Sequence, residues 1–324
     1  MKKKINFIGF WQGFNKTDNF IYNILKERYE LEISDNPDYL FCSPLCKPFE
    51  YLKWDCARIF WTGEPLSPNF IHMDYFIGFD YVDYLDRTYR YPLCFLNHVG
   101  AIRKSLTRSE AEEILKNKKY FCNYIYSHQT NNNVREKLFE LLSKYKRVES
   151  FGKFKNNQPD NKAVSWGDEK FEVLKLSKFT IAVESMVYPG FLTEKITDAF
   201  SNYSIPIYFG DKYISKDFNT KSFINVCDYN SLDEVVDRII EIDNDDELYI
   251  QMLMESPTNN PNITQELYDN FKLFLFNILD QSPKDAIRRG IEYQGAVQES
   301  FAKEYSRFHG TFWYKLLRKL KIIK

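Results

Sequence analysis

Between residues 179 and 210 the chain reads FTIAVESMVYPGFLTEKITDAFSNYSIPIYFG, a stretch that gathers several groups able to hold a charged ligand. An apolar run delivers Glu184 and Ser185 to its end, and a Pro189-Gly190 turn follows. Thr193 then stands where an N-cap residue belongs, ahead of a helix opening with Glu194 and Lys195. The unbonded N–H groups at a helix start attract phosphate, and Lys195 adds a full positive charge at the same place. Glu194 has the chemistry to accept hydrogen bonds from two ribose hydroxyls. A plainer arrangement uses the same residues: Thr193 and Glu194 cap a helix, while Glu184, otherwise a second candidate base or a partner to a bound sugar, pairs with Lys195.

Other candidates for chemistry are sparse. The six cysteines, Cys42, Cys46, Cys56, Cys94, Cys122 and Cys227, include no CxxC pair, and the four histidines show no HxxxH or HxH spacing. Neither a zinc site nor a disulfide framework is expected, and the thiols read as reduced. The D-x-D at Asp243-Asn244-Asp245 lies in the acidic run DNDDE and reads as a solvated loop or helix start, not as a metal site. A net charge of −1 argues against whole-surface attraction to nucleic acid or to an anionic membrane. Aromatic residues reach 17 %, which fits sugar or base sites and an AT-rich coding bias equally, so it decides nothing.

These residues need elements to position them, and short apolar runs alternating with helix-period segments point to parallel strands joined by crossover helices, an α/β class. Segments 5–10, 39–42, 57–61 and 75–79 read as strands of a first half, with a helix over 18–28. In the second half 120–126, 147–150 and 179–183 read as strands, and 133–145, 232–242 and 266–279 as helices. Ligands of open α/β sheets sit beyond the carboxyl ends of strands, which is where Ser127, Gly152, Glu184 and Ser185 fall. A charged helix over 109–118, without a packing stripe, reads as the approach to a domain junction. The opening MKKKINFIGFW reads as a first strand and not as a signal peptide, and no apolar run approaches a bilayer span. At the other end Phe312, Leu316 and Leu320 recur every four residues among Lys315, Arg318, Lys319, Lys321 and Lys324, the pattern of a basic amphipathic helix able to lie on an anionic membrane or to dock on protein.

The 179–210 segment resembles the signature of the family 10 glycosyltransferases, the α1,3/α1,4-fucosyltransferases, whose usual form runs FENS, a short turn, Y-x-TEK, a helix and VPVYxG. Here it stands as VES, YPGFLTEK and IPIYFG, with Ser185 in place of the usual Asn and Phe191 in place of the usual Tyr. Residues 60–93, FWTGEPLSPNFIHMDYFIGFDYVDYLDRTYRYPL, resemble the bacterial members' FYTGE, SPNF, DYAIGFD and DRYLRxPL elements. The resemblance makes Glu64 the general base. Residues 127–153 are similar to the donor-domain SN, R-x-K-x-x-x-x-L and YG-K elements, with His128 in place of Asn. They put Arg135 in the position of a diphosphate-binding arginine and Lys155 in that of a second basic donor contact. The likeness covers residues 55–275.

What the resemblance implies is a GT-B type fold of two Rossmann-like domains facing across a cleft, an acceptor-binding domain over 1–110, a GDP-fucose-binding domain over 118–280, and C-terminal helices with a basic tail over 281–324. The implied enzyme is an inverting fucosyltransferase that moves L-fucose from GDP-fucose to a GlcNAc-type hydroxyl of a glycan, most simply in an α1,3 linkage. Glu64 takes the acceptor proton, and Arg135, Lys155, Lys195 and the Thr193 helix start hold the departing diphosphate alongside Glu184, Ser185, Phe191 and Glu194, with no metal or cofactor required. The bacterial members decorate lipopolysaccharide or capsule, so a cytoplasmic enzyme at the inner face of the inner membrane is expected, with GDP-fucose and an oligosaccharide as partners, no nucleic acid, and peripheral membrane contact through 311–324. A relative using another nucleotide sugar, or a glycan-binding protein without turnover, are the alternatives.

Overall fold

A computed structural model describes residues 2–96, 102–129, 133–164 and 167–320. The chain divides into two compact units, Met1–Tyr91 with Asp269–Lys324, and Pro92–Tyr268. The division falls after Tyr91 and after Tyr268, where the sequence expectation put boundaries at 110 and 280, and residues 281–320 group with the first unit.

In the first unit β1 (Lys2–Ile8) leads to α1 (Phe20–Leu25), then to β2 (Glu30–Ile33), β3 (Tyr39–Cys42), β4 (Ala57–Trp61), β5 (Tyr75–Gly78) and β6 (Thr88–Arg90). All pair in parallel in the order β2-β1-β3-β4-β5-β6. Every residue of β3 and β5 is buried, as expected of a parallel sheet covered on both faces. Helix α1 begins at Asn19, whose side chain accepts the Tyr22 N–H, and it buries Ile21, Ile24 and Leu25.

The second unit opens with α2 (Leu93–Leu96) and α3 (Arg108–Lys116), then β7 (Tyr120–Tyr124), α4 (Val134–Tyr145), β8 (Val148–Ser150), α5 (Asp168–Leu176), β9 (Ser177–Val183), α6 (Glu194–Ser201), β10 (Ile205–Phe209) and β11 (Ile224–Asn225). Helices α7 (Leu232–Asn244) and α8 (Asp246–Met254) follow. The five strands are parallel in the order β11-β10-β9-β7-β8, so the strand order reverses between β7 and β9. The crevice at such a reversal is where nucleotides bind in doubly wound sheets. Helix α3 corrects the expectation of a stripeless junction helix: capped reciprocally by Thr107 and Glu110, it buries Ala111 and packs Ile114 and Leu115 on the core of this unit. Asp243 is likewise not a solvated loop residue. It is buried at the end of α7, bonded to Lys178 at 2.7 Å and Lys146 at 2.5 Å, while Asp245 caps α8.

Helix α9 (Ile263–Asp280) carries the chain back to the first unit, followed by α10 (Gln294–Gly310) and α11 (Phe312–Lys319). Asp74, fully buried, ties this return down by accepting the backbone N–H groups of Arg288 and Arg289, both at 2.8 Å, and the Arg289 guanidinium. Thr311 caps α11 by accepting the Tyr314 N–H. Lys321 and Lys324 of the expected basic helix lie outside the described residues, as do the side chains of Phe312 and Lys315. Among the described residues no helix is long and apolar enough to cross a membrane.

Candidate active site

Strand β9 ends at Val183, and Glu184 follows with its carboxylate fully buried. A buried carboxylate is stable only when fully partnered. Thr193 supplies its backbone N–H to Glu184 Oε1 at 2.9 Å and its hydroxyl lies 2.8 Å from both carboxylate oxygens, while Lys195 Nζ donates to Oε2 at 3.0 Å. The close approach depends on Gly210, after β10: a Cβ there would lie 2.8 Å from Glu184 Cγ and 2.5 Å from the Tyr208 hydroxyl. Glycine in IPIYFG therefore makes room for the carboxylate.

Between Glu184 and Thr193 the chain reverses at the expected Pro189-Gly190 turn, closed by the Phe191 N–H to the Tyr188 carbonyl at 3.1 Å. Thr193 occupies the N-cap position of α6, as read from the sequence, but its hydroxyl does not cap the helix. It is turned to Glu184, and no side chain of the cap position covers the first N–H groups of α6. Lys195 sits among them, 3.7 Å from Glu194 and 3.0 Å from Glu184. Burial alone would lower the Lys195 pKa, but the Glu184 and Glu194 carboxylates outweigh it and hold the ammonium well above its ordinary value. The result is a charged lysine at a helix start whose first N–H groups are left unbonded by the cap side chain, the arrangement that suits a diphosphate.

Arg135 stands in the first turn of α4, buried, with its guanidinium donating to the His128 carbonyl and to Glu136 at 3.3 Å. It lies over the ring of Tyr126, 4.2 Å from the centroid. The Tyr126 hydroxyl, in turn, bonds the end of β9, so Arg135 and the Glu184 cluster share one support. Lys155 is placed differently. Its ammonium pairs with Glu140 of α4 at 2.7 Å, and no described bond links it to the Glu184 cluster. Ser185 is exposed, Phe191 is buried and Glu194 is half-buried beside Lys195.

In the first unit Glu64 follows the carboxyl end of β4. The hydroxyl of buried Thr62 accepts the Glu64 N–H at 2.9 Å and donates to the Glu64 carbonyl at 3.1 Å, which fixes the backbone of the Thr-Gly-Glu turn. The Glu64 side chain is exposed, and among the described residues its carboxylate has no hydrogen-bond or ion-pair partner. An unpaired carboxylate is one available to take a proton from an incoming hydroxyl.

The profile of the alpha-(1,3)-fucosyltransferase FucT N-terminal domain matches residues 5–97, and that of the glycosyltransferase family 10 (fucosyltransferase) C-terminal domain matches residues 115–259. The chain belongs to glycosyltransferase family 10. The alpha-(1,3)-fucosyltransferase FucT of Helicobacter pylori is 30 % identical over 302 residues, covering 80 % of this chain and 61 % of that protein. Human 4-galactosyl-N-acetylglucosaminide 3-alpha-L-fucosyltransferase 9 is 26 % identical over 213 residues, 61 % of this chain and 56 % of that one. The chain thus spans about three fifths of the length of these relatives. A crystal structure of an alpha1,3-fucosyltransferase superposes with a TM-score of 0.73 at 28 % identity, over 90 % of this chain and 93 % of that one. A crystal structure of an alpha1,3-fucosyltransferase with GDP-fucose superposes at 0.67 over 84 % and 90 %. This family 10 chain has the GT-B class of fold, with two parallel sheets among mixed α and β elements.

Sequence reading missed Tyr126. The signal was present, a tyrosine next to the end of an apolar strand, but nothing local distinguishes it from a core aromatic. Among the described residues no group of acidic, histidine and cysteine side chains is arranged to hold a metal.

Proposed function

We propose that this family 10 chain transfers L-fucose from GDP-fucose, with inversion, to a GlcNAc-type hydroxyl of a 4-galactosyl-N-acetylglucosaminide glycan, forming an α1,3 linkage. The observation that carries the reading is the buried Glu184 carboxylate holding Thr193 and Lys195 at the uncapped start of α6. That arrangement keeps a lysine charged and leaves the helix N–H groups open, which is what a departing diphosphate needs. The GDP-fucose present with one solved relative and the acceptor in the name of the human relative support the choice of substrates.

In a single displacement the acceptor oxygen bonds to the anomeric carbon as the bond to the GDP oxygen breaks. Glu64 takes the hydroxyl proton, and the electron pair leaves on the β-phosphate of GDP, where Lys195, Arg135 and the α6 N–H groups stabilise it. Because fixed cations and a helix terminus do this neutralising, a divalent metal is not needed as a Lewis acid. The glycan belongs to lipopolysaccharide or capsule, and the enzyme works in the cytoplasm at the inner membrane surface. Exposed Arg318, Lys319 and Leu320 at the end of α11 support peripheral contact there. Incubation with GDP-fucose and N-acetyllactosamine, with and without EDTA, tests the reading by mass spectrometry. A fucosylated product formed equally in both supports it, and no product from any glycan in an acceptor panel would sink it.

A further inference from the structure

Tyr126 lies two residues beyond β7, at the reversal of strand order between β7 and β9, and it bridges that reversal. Its hydroxyl is 2.8 Å from the Ile181 carbonyl and 3.2 Å from the Val183 carbonyl, and it accepts the Val183 N–H at 2.8 Å. Val183 directly precedes Glu184, so the hydroxyl fixes the strand end that delivers the buried carboxylate. The Arg135 guanidinium covers the ring of the same residue at 4.2 Å. Tyr126 and Lys195 also line one small cavity of about 30 Å³.

The main chain of Tyr126 is itself immobilised. Its carbonyl accepts the Phe154 N–H at 2.9 Å, and Gly152 packs so closely that a Cβ there would meet the Tyr126 nitrogen and oxygen at 2.3 and 2.2 Å. A rigid backbone, a hydroxyl committed to β9 and a ring under Arg135 make the side chain a fixed strut. The way it holds Arg135 matters for phosphate binding. A hydrogen bond would consume guanidinium donors, whereas a ring face orients the guanidinium plane and uses none of them.

We infer that Tyr126 is a positioning residue for the donor diphosphate, setting Arg135 through its ring and the Glu184-Lys195 pair through its hydroxyl. It does not touch the nucleotide itself. The inference rests on the proposed reading of this site as the GDP site.

The test separates ring from hydroxyl by measuring GDP affinity calorimetrically and the KM values of donor and acceptor. Y126F keeps the ring and loses the hydroxyl's hold on the β9 end that carries Glu184 and, through it, Lys195, so GDP affinity should fall by about threefold and kcat should fall with it. The same substitution made with pentafluorophenylalanine preserves the shape and reverses the ring's attraction for a cation, so GDP affinity should drop about tenfold relative to Y126F, with the acceptor KM unchanged. Combined with R135A, the fluorinated ring should cost nothing further, because the two act through one contact. Equal GDP affinity for the two ring variants, or additive losses with R135A, would overturn the role of Tyr126 and leave the GDP site standing. No GDP binding by the wild-type chain would take down both.

Discussion

Thr193 gives both its backbone N–H and its hydroxyl to the carboxylate of Glu184, at 2.9 and 2.8 Å, and so does not cap the helix it begins. Thr193→Val preserves the branched shape and removes one donor from a fully buried carboxylate. The folded state should lose about 1–3 kcal/mol, measured by urea denaturation, because the remaining donors cannot replace the missing bond. GDP affinity should fall as well, since Glu184 is what holds Lys195 in place.

Lys195→Ala removes the charge at the helix start and leaves Glu184 without its counter-ion. A hydrogen bond to a charged group contributes about 1.5–3 kcal/mol, so GDP affinity measured by calorimetry should fall roughly ten- to hundredfold. An unchanged dissociation constant would refute the phosphate assignment. The raised Lys195 pKa adds a pH prediction. The favourable pairing with Glu184 and Glu194 is fully present below the lysine's ordinary titration range near 10.5 and is lost only as pH climbs beyond it, so GDP binding should not weaken between about pH 7 and 9 through this residue.

How much of this was legible beforehand follows from which contacts are local. Strands β3 and β4 were placed to the residue because short runs such as YLFC and ARIFW, apolar but for Arg58, have few other fates in an α/β chain. The β9-turn-α6 unit was also readable, since strand, turn and cap chemistry follow one another within 20 residues or so. The partners of its carboxylate were open: capping Thr193 and pairing Glu184 were both permitted by the residues, and burial of Glu184 decided between them. Tyr126 was out of reach because its role depends on β7 lying beside β9, a pairing of residues 55 to 57 positions apart. Asp74 and Arg289 are 215 positions apart, which is why the C-terminal helices did not read as part of the first unit. Helix α10 buries Ala302, while Phe301 and Phe308 stay exposed.

Glu64→Gln keeps the size of the side chain and the Thr62-supported turn but removes the ability to accept a proton. Because Glu64 lies in the first unit and Lys195 in the second, the GDP dissociation constant should be unaltered. Transfer to N-acetyllactosamine should fall by about 10²–10⁴-fold in kcat, measured by GDP release. Full activity of this variant would remove Glu64 from the mechanism.

Glu299 offers an acid-sensitive point in the first unit, away from the chemistry. Its carboxylate accepts from the fully buried Arg58 through both terminal nitrogens, at 3.1 and 3.4 Å, and this is how α10 is tied to β4. Burial would raise the Glu299 pKa, but Arg58 and then Lys303 outweigh it and bring it down to about 2. A carboxyl whose folded pKa lies below its ordinary 4.5 contributes stability that is complete above that value and is lost as pH falls from 4.5 towards 2. Wild type should therefore lose stability across that window while Glu299→Gln, already weaker at pH 7 because Arg58 is left uncompensated, should change less. Parallel denaturant titrations at pH 7, 4.5 and 3 measure both slopes, and identical pH dependence in the two proteins would show that the pair does not hold α10.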